Sequence, residues 1–173
     1  TAINTDKYKP GEWKTINPYL IAHFPSNPTV KGTAKIVEML QKIETANFTV
    51  NTDKVSHKSQ IDRMQNCDIY VELFAPFQNG RPYGCFGVTA FEAAALGKIV
   101  FTNNICQKVY SDAYGDCALV IANNEVEFIS KTKWVLQLDE KHIVNLQKQS
   151  REWVVNKHSY QATGNRLKTF LNL

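Results

Sequence analysis

The sequence predicts an α/β protein with an open, doubly wound, Rossmann-like parallel sheet of about five or six strands and helices on both faces. Short apolar runs, which are typical of buried strands, alternate along the chain with longer segments whose apolar residues recur at helical spacing. Such alternation favours a parallel sheet, because parallel strands need a crossover connection that is usually a helix. The length of 173 residues suits a single domain.

The elements follow from these patterns in chain order. The predicted strands lie at 19–24, 48–50, 68–74, 99–102 and 118–121. The predicted helices lie at 31–43, 56–64, 88–96, 125–136, 141–157 and 160–171, with Trp134 and Trp153 in the core. Ser56 and Asp139 are plausible N-caps, and Gly97 stands where a glycine commonly ends a helix. The polar residues 1–16 are predicted as an irregular leader or linker, which leaves 17–173 as the domain.

Composition narrows the classes of function. The net charge of +4 indicates a mild preference for anionic ligands, but the lysines are dispersed and no arginine-rich run favours nucleic acid. No apolar stretch is long enough to cross a membrane, and no signal peptide is visible. The four cysteines form no CxxC pair, so we expect reduced thiols in a cytoplasmic protein and no metal site.

The stretch at 83–100 contains the residues that predict a ligand-binding site. Gly84 and Gly87 allow the backbone to approach a ligand closely, and they precede a helix whose first N–H groups are unpaired and partly positive. A phosphate suits that position. Glu92 lies in the middle of the otherwise apolar helix, where a carboxylate is costly to bury without a partner. It either reaches a sugar hydroxyl next to the phosphate or caps a neighbouring loop.

Two loops belong on the same edge of the predicted sheet. The segments 25–31 and 75–87 both follow strands, and ligands of open α/β sheets bind at the carboxyl ends of the strands. Ser26 in the first loop can donate to a phosphate oxygen. His23 ends the preceding strand, where a hydrogen-bonded structural histidine and a ligand contact are both open.

The chain resembles the C-terminal, donor-binding half of a GT-B glycosyltransferase of the family 4, or group 1, type. The resemblance begins at His23-Phe24-Pro25-Ser26-Asn27 and Lys31-Gly32-Thr33, continues at 68–71 and through 83–100, and ends at 151–159. It therefore covers most of the chain. The segment Gly-x-x-x-x-Glu-Ala-x-Ala-x-Gly-Lys together with an upstream Lys-Gly is a fairly specific combination.

The resemblance implies roles at matching positions. Lys31 would contact the diphosphate of a nucleotide-sugar donor, and Glu92 would bind the ribose hydroxyls. The loop that would approach the phosphates and the transferred sugar consists of Gly84, Cys85, Phe86, Gly87 and Val88. The resemblance further implies a retaining transfer to a glycan, lipid or other acceptor. Neither metal nor further cofactor is expected, because lysine, arginine and the helix end supply positive charge and there is no Asp-x-Asp motif.

The sequence also departs from the family pattern. Gly84 replaces the first of two glutamates, and the usual arginine upstream of Lys31 is missing, with Ser26 and Pro28 in its place. Arg81 can substitute for that charge. The acceptor-binding N-terminal domain is the expected partner, since a GT-B active site lies between two halves. We therefore expect this chain to bind donor without completing a turnover, and peripheral membrane association of a longer enzyme is compatible with the pattern.

Two alternatives remain at this stage. One is a non-catalytic module that keeps the fold and holds a nucleotide, which the loss of the first glutamate favours. The other is a flavodoxin-like or other doubly wound domain with an unrelated ligand, which Lys31-Gly32 and Glu92 disfavour.

Overall fold

The computed structural model describes residues 1–13, 15 and 18–172. The strands in these ranges are β1 (Leu20–His23), β2 (Asn47–Val50), β3 (Ile69–Val71), β4 (Phe77–Gln78), β5 (Arg81–Pro82), β6 (Ile99–Thr102) and β7 (Val120–Ile121). The helices are α1 (Pro28–Lys31), α2 (Thr33–Gln41), α3 (His57–Gln65), α4 (Val88–Ala95), α5 (Gln107–Tyr114), α6 (Glu125–Leu136), α7 (Glu140–His158) and α8 (Tyr160–Leu171).

Five strands form one parallel sheet in the order β2-β1-β3-β6-β7. The chain runs outward from β1 to β2 and then in the opposite direction from β3 to β7, so the strand order reverses between β1 and β3. The predicted fold class is confirmed. The segment predicted as a loop at 75–87 contains the small antiparallel hairpin β4-β5.

Helices cover both faces of the sheet, as predicted. Ala22 and Tyr70 point from their strands into a core shared with α3, α4 and the second half of α7. Their neighbours Ile21 and Ile69 point the opposite way, into a core shared with α2, α6 and the start of α7. This alternation follows from the two-residue period of a strand, and it explains why the strands are apolar throughout.

The two tryptophans predicted in the core differ. Trp153 is buried, which confirms the prediction, whereas Trp134 is 49% exposed, and the prediction for it is wrong. The buried face of α6 consists of Phe128, Thr132 and Val135, which recur at helical spacing. Trp134 stands one position before Val135 and is therefore rotated by about 100° away from the core.

The connection after β1 forms its first helix earlier than predicted. The Asn27 side chain accepts from Val30 N at 3.1 Å, and Pro28 fits the first turn, so Lys31 ends α1 instead of beginning a helix. Gly32 has φ of 70°, and a Cβ there would overlap the Phe74 carbonyl oxygen. The amide of Phe74 donates to the Lys31 carbonyl at 3.1 Å. Lys31 is thus fixed beside the segment that follows β3.

The N-terminal segment predicted as a leader or linker packs against the end of α7. Ile3 and Tyr8 are buried, and Ile3 N donates to the His158 carbonyl at 2.7 Å. The Arg151 guanidinium donates to the carbonyl oxygens of Thr5, Tyr8 and Ala95, which joins this segment to α4 as well. Over the described ranges, no helix combines the length and apolar character needed to span a bilayer.

Candidate functional site

A cavity of about 420 Å³ opens where the strand order reverses, between the carboxyl ends of β1 and β3. Its polar lining includes Ser26, Lys31, Lys54, His57, Glu72 and Thr89. Larger clefts, of about 720, 710, 490 and 430 Å³, lie elsewhere, the first two beside β7 and between α7 and α8, and all four away from this reversal. Ligands of open α/β sheets bind at the reversal, so the smaller cavity is the candidate site.

An ion pair between Lys31 and Glu72 forms one wall of the cavity. The Glu72 side chain is fully buried just beyond the end of β3, and its Oε1 accepts from the Lys31 ammonium and from Thr89 Oγ1, the latter at 3.2 Å. Its Oε2 accepts from Thr102 Oγ1 at 3.1 Å. Three donors therefore compensate a charge that is costly to bury.

The N-terminus of α4 lies directly on this ion pair. A Cβ at Gly87 would overlap Glu72 Oε1 and lie 2.9 Å from Lys31 Nζ, so this approach requires glycine. No side chain caps the helix at Gly87, and its first N–H groups carry the partial positive charge of a helix end. The Lys31 ammonium and the start of α4 thus converge on the same wall.

Glu92 lies behind His57. The Glu92 side chain is only 6% exposed, and its Oε1 is 2.7 Å from His57 Nε2. His57 is the first residue of α3, follows the N-cap Ser56, and is 55% exposed. His57 lines the cavity, whereas Glu92 is absent from its lining. The carboxylate predicted to reach a sugar hydroxyl therefore faces an imidazole in this structure.

His23 is a structural residue at the end of β1 and does not line the cavity. It is 1% exposed, and burial lowers its pKa to about 4, so the ring is neutral near pH 7. Its Nδ1 is 2.7 Å from the Val71 carbonyl oxygen and its Nε2 is 2.9 Å from Thr33 Oγ1. Since a carbonyl can only accept, Nδ1 carries the proton and Nε2 accepts from the threonine. The ring thereby ties β1 to β3 and α2.

The remaining predicted site residues lie away from the cavity wall. Gly84 packs against Asn103, and the Phe86 ring contacts Phe91, Tyr110 and Trp153 at centroid distances of 5.9, 4.9 and 6.1 Å. This is a packing role. Among these remaining residues, Arg81 in β5, Cys85, and Val88 at the start of α4 are exposed. Of the predicted residues, the structure places Ser26 and Lys31 on the cavity, with Gly87 against its ion pair.

Sequence reasoning missed Glu72, Thr89 and His57 as site residues. Glu72 carries the same signal as Glu92, because it is a carboxylate within a run predicted to be a buried strand. The signal for His57 is weaker. It pairs with a residue 35 positions away, and only the packing of α3 on α4 brings the two together.

Comparison with solved structures shows where else this fold occurs. The chain superposes on TarM with a TM-score of 0.63 at 14% identity, covering 99% of this chain and 37% of TarM. It superposes on the C-terminal domain of a group 1 family glycosyl transferase, LpcC of Francisella tularensis, with a TM-score of 0.62 at 15% identity. That match covers 92% of this chain and 100% of the LpcC domain. Neither a protein-family model nor a curated protein sequence matches the chain.

The chain therefore has the fold of a GT-B glycosyltransferase C-terminal domain, and the predicted resemblance is confirmed at the level of the fold. In particular, its architecture is that of the LpcC domain, which this chain matches along that domain's whole length. The chain spans little more than a third of TarM.

Proposed function

We propose that this chain is the donor-binding domain of a glycosyltransferase that binds a nucleotide-diphosphate sugar and takes part in a retaining, metal-independent transfer to a glycan, lipid or other acceptor. The observation that carries the proposal is the convergence of Lys31 and the α4 N-terminus on one wall of the cavity. The Lys31 ammonium has three N–H donors, of which Glu72 takes one, so the others and the helix N-terminus can together bind an anion. The cavity volume lies within the range of small-molecule sites.

In this proposal the diphosphate lies against Gly87 and Thr89, with the Lys31 ammonium and the Ser26 hydroxyl as further donors. The ribose lies toward the His57–Glu92 end of the cavity. Lysine, hydroxyl and helix-end groups are all supplied by the chain, which makes a bridging cation unnecessary. Among the described residues no group of three histidine, cysteine or acidic side chains is arranged to hold a metal ion.

The proposed partner is an acceptor-binding domain. Transfer needs the acceptor held within reach of the reacting carbon, and positioning of this kind supplies several kcal/mol of the barrier reduction. Helix α8 offers an apolar surface for such a partner, with Tyr160, Leu167, Phe170 and Leu171 between 55% and 82% exposed. We expect this chain alone to bind the donor and to show negligible transfer.

A second candidate function is a nucleotide-binding module without catalytic activity. Glu72 neutralises Lys31, and Gly84 stands where the resemblance calls for a glutamate on the sugar. The absence of that glutamate weakens recognition of the transferred sugar, and the neutralisation of Lys31 weakens the hold on the diphosphate, so neither feature favours turnover.

Thermal unfolding with a panel of UDP-, GDP- and ADP-sugars tests the proposal, with the matching free nucleosides as controls. A ligand at 100 times its Kd stabilises by about 2.7 kcal/mol, which for a domain of this size raises the Tm by roughly 5–11 °C. The shift should persist in EDTA. If no diphosphate raises the Tm above its nucleoside, the anion site is absent. A strict Mg²⁺ requirement would contradict metal independence.

Transfer assays separate the two candidate functions. This chain and the chain joined to its acceptor-binding half are each incubated with radiolabelled donor and a panel of acceptors. Turnover by the joined protein, with none by this chain on its own, supports the half-enzyme assignment. Binding of donor without turnover in either form favours the non-catalytic module.

A further inference from the structure

We infer that His57 is the direct ligand contact at the ribose end of the cavity, through Nδ1, and that Glu92 is a positioning residue that acts through the imidazole. This inference rests on the proposed function, because it assigns the polar contact that a bound nucleotide would meet there. It replaces the direct contact between Glu92 and ribose that the sequence resemblance implies.

Access decides between the two side chains. Glu92 is 6% exposed and does not line the cavity, whereas His57 is 55% exposed and does. Glu92 Oε1 is hydrogen-bonded to His57 Nε2 at 2.7 Å. A ligand in the cavity therefore meets the imidazole before it meets the carboxylate.

The pairing fixes which ring nitrogen is available. A carboxylate only accepts hydrogen bonds, so Nε2 carries the proton that bonds to Glu92. In the neutral ring Nδ1 then presents a lone pair, and within the described part of the chain it has no hydrogen-bond partner. A lone pair matches a hydroxyl donor such as a ribose O–H. It does not match a phosphate oxygen, which can only accept.

The ring is also held in place before any ligand binds. His57 begins α3 directly after the N-cap Ser56, whose side chain accepts from Ser59 N. The Tyr8 ring packs edge-on against it, with centroids 6.1 Å apart and planes at 84°. Together with Glu92, these contacts restrict the ring, and a preorganised acceptor loses less entropy when the ligand binds.

Two amide isosteres separate the roles of the two nitrogens. In His57→Gln the side-chain amide N–H can still reach Glu92, but the acceptor at the Nδ1 position is lost. In His57→Asn an acceptor near the Nδ1 position is kept, but the contact with Glu92 is lost. His142→Gln is the matched control, because His142 is an exposed histidine paired with Asp139 at the start of another helix, α7.

The first measurement is the Kd of the nucleoside diphosphate preferred by the parent, by calorimetry, beside that of its 2′,3′-dideoxy analogue. We expect His57→Gln to unfold near the parent Tm, to bind the ribonucleotide about 5–10-fold more weakly, and to lose the parent's preference over the dideoxy analogue. His57→Asn should retain part of that preference, and His142→Gln all of it. Parental affinity and preference in a folded His57→Gln would overturn the inference.

The second measurement tests whether Glu92 acts through His57. Glu92→Met removes the acceptor at similar length, and Glu92→Gln restores it as the conservative variant. We expect Glu92→Met to weaken binding about 3–5-fold in the parent and to have no further effect in the His57→Gln background, because coupled residues are not additive. Equal weakening in both backgrounds would show that Glu92 contacts the ligand itself and would overturn the positioning role.

The binding data distinguish failure of the proposed function from failure of this inference. If the parent binds no nucleotide at all, the donor-binding assignment fails, and this inference fails with it. If the parent binds but the variants do not separate as described, the inference alone is overturned.

Discussion

Removing Lys31 should destabilise the protein more than removing its partner Glu72. The Glu72 side chain is fully buried and cannot reach water, whereas Lys31 is 17% exposed and has a flexible stem. Lys31→Met leaves a buried carboxylate whose remaining donors among the described residues are the hydroxyls of Thr89 and Thr102. Glu72→Gln leaves an ammonium that can turn toward solvent.

The magnitudes follow from that asymmetry. Removal of one partner from a buried ion pair costs about 3–5 kcal/mol, and the two remaining hydroxyl donors reduce this, so we expect about 2–4 kcal/mol for Lys31→Met. Glu72→Gln should cost about 1–2 kcal/mol, the range for a lost charge-assisted hydrogen bond that solvent partly replaces. The double variant should cost little more than Glu72→Gln alone, because it has no unpaired carboxylate.

Urea unfolding with linear extrapolation measures all three free energies, and an unchanged m-value shows that the denatured state is comparable. Lys108→Met is the control, since its pair with Asp112 is well exposed on α5 and should contribute little. The reasoning is refuted if Lys31→Met costs no more than Glu72→Gln, or if the two single costs add in the double variant.

Three further predictions concern stability and binding. Gly87→Ala should abolish nucleotide binding measured by calorimetry, because its methyl group displaces the Lys31–Glu72 pair, whereas Gly164→Ala meets no atom within 4 Å and should bind as the parent does. Gly32→Ala should cost at least about 2–3 kcal/mol of unfolding free energy, because φ is 70° and the Phe74 carbonyl occupies the space. Burial lowers the pKa of His23 and His158 from 6.5 to about 4, so the unfolded chain binds more protons between these values. The free energy of unfolding, measured in urea, should therefore fall as the pH drops through that window, by up to about 1.4 kcal/mol per pH unit for each histidine, and less steeply in His23→Gln.

Local signals were read correctly from the sequence. Ser56 and Asp139 cap α3 and α7, and α6 and α8 have the predicted bounds, because caps and apolar stripes depend on neighbouring residues. Helix α5 was not predicted, because it lacks these local signals. None of its residues is buried, so it has no apolar stripe to recognise.

The candidate site was only partly predictable. Lys31 and Ser26 were placed on the correct edge because both follow β1, and that edge is a consequence of topology. Phe86 was assigned to the donor loop by its position in the motif, but its ring packs toward Trp153. The pairing of His57 with Glu92 depends on how α3 packs on α4, and spacing along the chain does not encode that arrangement.

The attachment of the N-terminal segment to α7 has a consequence for synthesis on the ribosome. Ile3 hydrogen-bonds to the His158 carbonyl and to Tyr160 N, so its binding place does not exist until about 155 further residues have been translated. At about 5–20 residues per second this takes roughly 8–30 s. During that interval Ile3 lacks its backbone partners at His158 and Tyr160, although the sheet strands can already pair. Within this domain the segment is translated before the strands of the sheet, yet it is among the last parts to be secured.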